Sequence, residues 1–151
     1  MVSRLIALVL GQNAKHPARR FRCIARVAAT GDTMRVKSTE FGSITIDDET
    51  YHHDILIRLS RKIEKRKKKL SKRKFGTSHI MSLEEAEFVY EKGSELLILG
   101  TGQNDSVRLS PEAAAFFARK GCRVLAEATP NAVETFNHEK GQKIGLFHVT
   151  C

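Results

Sequence analysis

The stretch SLEEAEFVYEKGSELLILGTG, residues 82–102, reads as a capped helix that runs into a buried strand. Ser82 and Glu85 stand at capping-box spacing: the serine oxygen accepts from the backbone near Glu85, and the glutamate can reach back. Leu83, Ala86, Val89 and Tyr90 recur at helical spacing and give one apolar face. Lys92 and Gly93 stop the helix. Leu96–Leu99 is short and wholly apolar, the pattern of a strand covered on both sides, and it closes on Gly100-Thr101-Gly102.

The same alternation continues to the end of the chain. Val107–Leu109 forms a brief extension. Ser110-Pro111 is a cap followed by proline at the first helical position, and that helix runs to about Lys120 before Gly121. Cys122–Ala126 is the next strand. Thr129-Pro130 repeats the cap-proline device, with Thr129 as the cap, and a helix over Ala132–Glu139 ends at Gly141. Ile144–Val149 is the last strand. The order from Ser82 is α-β-α-β-α-β. Crossovers of about a dozen residues favour parallel pairing.

Upstream, Phe41–Asp48 alternates, Asp47–Thr50 is a reversal, and Tyr51–Leu59 resumes with β-branched and aromatic residues. This predicts an N-terminal β-hairpin. The coarse expectation is one α/β domain with a mixed sheet over residues 34–151.

The chain has 151 residues, of which 41% are hydrophobic, enough for one core. Its net charge of +9 is unevenly spread. Arg61–Lys74 holds ten basic residues and one acid; residues 1–31 hold six basic residues and no acid. The other 106 residues carry a net −6. Residues 1–33 therefore read as a basic extension. Three origins fit it: an upstream extension with Met34 as the natural start, a native tail, or an organelle-targeting segment. The three cysteines, Cys23, Cys122 and Cys151, are too scattered for a disulfide framework and suggest a reducing compartment. No apolar run is long enough for a membrane-spanning helix.

The turn Gly100-Thr101-Gly102 follows a buried strand, where backbone N–H groups can meet an anion. It lacks the later glycine of a dinucleotide fingerprint and the lysine and serine of a phosphate loop. The histidines show no standard zinc spacing, so no metal ligand set and no cofactor are assigned. A cysteine–histidine pair requires distant segments to meet. In the basic block, Arg61, Lys62, Lys65, Arg66, Lys67, Lys68, Lys69, Lys72, Arg73 and Lys74 are candidate polyanion contacts. The block is expected to be a solvent-facing insertion over residues 61–74 whose binding is electrostatic and nonspecific. It has no interleaved aromatics for stacking on bases.

Five segments together, FGSITIDDETYHHDILI (residues 41–57), FGTSH (75–79), LLILGTG (96–102), ATPNAVETFN (128–137) and FHVTC (147–151), resemble the small domain shared by adipogenesis-associated domain-containing protein and mitochondrial complex I assembly factor three. The resemblance implies a three-layer α/β arrangement with a mixed sheet. It carries no established catalytic activity. Matching positions are Phe41, Gly42, Asp54, His79, Gly100, Thr101, Gly102, Thr129, Ala132, Asn137, His148, Thr150 and Cys151. Residues 1–33 and the lysine block fall outside the shared core. Strand carboxyl ends are where open α/β sheets place ligands. The candidate pocket is thus Gly100, Thr101, Gly102, Thr129, Asn137, His148 and Cys151, with Thr101, Asn137 and His148 lining it; Asn137 can also bond backbone across a loop. The expected function is a small, non-enzymatic, cytoplasmic domain that supports assembly of a protein partner. Two alternatives stand beside it: a small-molecule or anion-binding enzyme using the Gly100–Gly102 turn with His148 or Cys151, and a nonspecific nucleic-acid-associated protein using the basic block.

Overall fold

The computed structural model describes residues 33–151; the expected basic extension, apart from Thr33, lies outside them. Three strands open the described chain: β1 (Val36–Glu40), β2 (Ser43–Ile46) and β3 (Glu49–Tyr51) form an antiparallel meander. Next come β4 (Ile55–Ile57), β5 (Ile63–Lys65), α1 (Lys69–Phe75), β6 (Ile80–Met81) and α2 (Leu83–Val89). The alternating half follows as β7 (Leu96–Thr101), β8 (Arg108–Leu109), α3 (Pro111–Arg119), β9 (Arg123–Glu127), α4 (Thr129–His138) and β10 (Lys143–His148).

The central sheet has the order β5-β4-β10-β7-β9. β10, β7 and β9 are parallel, as their helical crossovers require, while β4 and β5 join antiparallel. β6 and β8 make a separate parallel pair.

Strand alternation divides the core in two. Leu56, Leu97, Leu99, Ile144 and Leu146 face α2 and α3, where they meet Ala86, Val89, Ala113 and Phe117. Ile55, Ile57, Leu96, Ile98 and Phe147 face the other way, onto Ala132, Val133 and Phe136 of α4. Val36, Ile44 and Ile46 of the meander complete that second cluster. The three-layer, mixed-sheet α/β expectation therefore holds. Each fully buried Leu or Ile contributes about 1.5–3 kcal/mol.

Some local expectations change. The predicted strand over residues 41–48 begins two residues late, because Phe41-Gly42 is itself the turn between β1 and β2. The strand expected over residues 51–59 breaks at His52-His53-Asp54, where the Asp54 side chain turns into the core. Ser82 caps α2 as read, accepting from Glu85 N at 3.1 Å. Glu85 does not reach back; its carboxylate is held by Arg66. Ser110 caps α3 by accepting from Ala113 N. Thr129 does not cap α4: Ala128 occupies the cap position, with no side-chain bond.

The basic block departs most from expectation. Ile63–Lys65 is a strand of the central sheet, and Lys69–Phe75 is a helix. Arg66 is only 3% exposed, and Ser71 is buried. The block is a structural part of the sheet edge, with most of its other cations exposed, and not a wholly solvent-facing insertion.

Candidate functional site

The register of the central sheet lines up four polar residues at one edge. Phe147 pairs with Ile55, and Ile55 with Lys65, so His148, Asp54 and Arg66 sit side by side on β10, β4 and β5. On the other side His148 pairs with Thr101 of β7. Asp54, Thr101 and His148 each lie an even number of residues from a core residue that faces α2 and α3: Leu56, Leu99 or Leu146. The row therefore shares the face of α2, from which Glu85 meets it.

Arg66 is the hub. Its Nε and Nη2 donate to the two Glu85 oxygens at 2.5 and 3.2 Å. Nη1 donates to Asp54 Oδ2 at 3.2 Å, and Nη2 to Ser78 O at 2.7 Å. Ser71 Oγ donates to Glu85 while accepting from Ser82 N. Asp54 accepts from Val149 N at 3.1 Å and lies 2.7 Å from His148 Nδ1. Lys68 Nζ approaches the same carboxylate at 3.6 Å. Burial pushes the Asp54 carboxyl up, but His148, the Val149 N–H and the Arg66 guanidinium outweigh it and hold the group well below the usual carboxylate range. A buried charge survives when it is paired and hydrogen-bonded on every side, and this cluster meets that condition.

Outside the hub, buried His148 meets three half-buried residues, Thr150, His79 and Cys151. His148 Nε2 is 3.2 Å from Thr150 Oγ1. His79 Nε2 is 3.4 Å from Cys151 Sγ. The two imidazoles meet edge to face, with centroids 5.5 Å apart. His79 thus comes to His148 and Cys151 from 69 and 72 residues away, the meeting that linear spacing could not display.

Of the predicted pocket residues, Gly100, Thr101, Gly102, Thr129, His148 and Cys151 converge at this edge. Asn137 does not: its amide bonds Val36 N and O at 2.9 and 2.8 Å, tying α4 to β1, the backbone-bridging role also foreseen for it. The Thr101 hydroxyl donates toward Asp105 Oδ1 at 2.6 Å, with Glu127 O at 2.9 Å. Thr129 Oγ1 accepts from Gly102 N at 2.9 Å and donates to His148 O at 2.6 Å, clasping the turn to β10. Gln103 N donates to Thr150 O at 2.8 Å. These two turn N–H groups are committed to the protein itself, so they form no anion cradle.

Charge counting places Arg66 among the surface cations and gives no signal for its pairing with Glu85. The alternation Asp54-Leu56 and Leu146-His148 was the available clue that both polar groups share one face. Arg61, Lys62, Lys65, Lys67, Lys69, Lys72, Arg73 and Lys74 remain exposed, and Lys68 is half-buried. Lys65–Lys69, Leu70, Lys72 and Arg73 line a shallow groove of about 640 Å³.

A family model described as "Protein of unknown function (DUF498/DUF598)" matches residues 36–146. Among solved structures, the conserved hypothetical protein PH1505 from Pyrococcus horikoshii is 32% identical, with a TM-score of 0.73 over 78% of this chain and all of its own. The structure named MT938 is 27% identical, with a TM-score of 0.68 over 79% of this chain and all of its own. A Bordetella pertussis protein described as a Mth938-like domain is 19% identical, with a TM-score of 0.55 over 79% of this chain and 89% of its own, and shares the fold. With the family model spanning most of the chain from the meander to β10, the chain belongs to the DUF498/DUF598 family of proteins of unknown function.

Proposed function

We propose that this protein is a small, non-enzymatic, cytoplasmic domain that supports assembly of a protein partner by holding an acidic segment of it against α1. The observation that carries the reading is the groove of about 640 Å³ along Lys65–Arg73. Its walls are the aliphatic stems of lysines with Leu70, and its rim is cationic. Such a surface suits a chain that alternates carboxylates with apolar side chains, because stems cover apolar groups while ammonium heads stay in water. The resemblance to the complex I assembly factor and adipogenesis-associated branches supports a partner-binding role. Three scattered cysteines, too few for a disulfide framework, support a reducing compartment.

A polyphosphate is the competing ligand. The groove offers no aromatic platform for bases, and the net −6 carried by the 106 residues outside the two basic segments restricts a long nucleic-acid footprint. The test is fluorescence anisotropy on the full chain with three probes of equal charge: a Glu/Leu peptide, a poly-Glu peptide and a thymidine oligonucleotide. The Glu/Leu peptide should bind tightest at physiological salt, and Leu70→Ser should erase its advantage over poly-Glu. Preferential binding of the oligonucleotide, with a steep salt dependence, would overturn the reading.

A further inference from the structure

We propose that His79, His148 and Cys151 form a binding site for a divalent late transition metal of the zinc class. This site is separate from the α1 groove and does not depend on it. One ligand atom from each of the three residues lies within 4.8 Å of the others. The closest pair, His79 Nε2 and Cys151 Sγ, is 3.4 Å apart. A tetrahedral ion with ordinary Zn–N and Zn–S bonds places its ligand atoms about 3.3–3.6 Å from one another. One pair is already at that spacing, and the site closes when the half-buried His79 and Cys151 side chains turn toward the fixed His148 ring.

The surroundings of His148 strengthen the assignment. Its Nδ1 is 2.7 Å from Asp54 Oδ2, and both side chains are buried. A carboxylate on one imidazole nitrogen sets the tautomer, aims the ring and makes the other nitrogen a better ligand, the usual support for a metal-bound histidine. Asp54 is itself fixed by Arg66 and Val149 N, so the ring cannot swing away. Nε2 is left facing Thr150 Oγ1 at 3.2 Å, an exchangeable partner. His79 and Cys151 are half-buried, which leaves a path for an ion from solvent. Imidazole and thiolate donors select zinc, cobalt or nickel over magnesium and calcium, and three protein ligands leave a fourth position for water or a small molecule.

Cobalt titration of the full, reduced and chelator-stripped chain tests the site. About one Co²⁺ per chain should bind, with a thiolate-to-cobalt charge-transfer band that zinc displaces. The band should vanish in Cys151→Ser and persist in a Cys23→Ser/Cys122→Ser variant, and His79→Gln should weaken affinity by more than about tenfold. In the unaltered chain, zinc should slow alkylation of Cys151 and leave Cys122 unchanged, a readout independent of any variant's folding. Absence of the sulfur band, its survival in Cys151→Ser, or failure of zinc to protect Cys151 would overturn the proposal.

Discussion

Arg66 is one of ten basic residues in a block of fourteen, yet its environment is unlike that of its neighbours. Its guanidinium fork matches the Glu85 carboxylate in two bonds and still reaches Asp54 and Ser78. Removing it strands two buried carboxylates. Arg66→Ala should cost about 3–5 kcal/mol in urea unfolding, while Lys65→Ala, at an exposed position, should stay within about 0.5 kcal/mol. Thiol chemistry is also decided residue by residue. Burial pushes the Cys122 thiol up, against the Ser94 hydroxyl that favours its ionised form. The reactive thiolate therefore forms only above the ordinary thiol range, and alkylation of Cys122 in the folded chain should rise with pH and stay slow near neutrality. Among the described cysteines Cys151, half-buried, should react first, as mass mapping of a timed iodoacetamide reaction would show; faster labelling of Cys122 would contradict its placement. The pairing of Arg66 was not legible from composition, because a charge count averages a buried arginine with its exposed neighbours.

At the scale of elements, the carboxyl end of β7 is joined to the end of β10 by the turn at Gly102 and by Thr129. Gly102 has φ +108°, and a Cβ there would lie 2.1 Å from Cys151 O. Gly102→Ala should displace the segment after β10 and cost about 1–3 kcal/mol or more. Gly42, also at positive φ (+86°) but with open space around it, should lose only about 1 kcal/mol on the same change, so paired thermal melts of the two variants separate backbone strain from steric exclusion. Thr129→Val removes a hydroxyl bonded on both sides and should cost about 1–3 kcal/mol. The sequence marks Thr129 as a cap, a role set by its place before Pro130. In the structure Ala128 holds the cap position, and the threonine hydroxyl is committed instead to Gly102 N and the His148 carbonyl of β10. Helices α2 and α3 were legible from Ser82 and Ser110 because their caps are local, needing only neighbours three residues away.

For the whole molecule, the alternating order after Ser82 carried the fold class, since short apolar strands between capped helices have few ways to bury both faces. The strand order was not readable. β10 inserts between β4 and β7, and that insertion brings His148 to Asp54 across 94 residues of sequence. The same topology explains why the basic block cannot be an appendage: β5 extends the sheet, and Arg66 pins that edge to α2. The most direct test is urea unfolding of two variants beside the parent. In one, residues 61–74 are replaced by a short neutral loop. In the other, Lys65, Lys67, Lys69, Lys72, Arg73 and Lys74 become Gln while Arg66 and Ser71 stay. The loop replacement should lose cooperative unfolding or most of its stability, and the glutamine variant should unfold near the parent's midpoint. A loop replacement as stable and cooperative as the parent would contradict the structural role of Arg66 and return the block to the status of a solvated insertion.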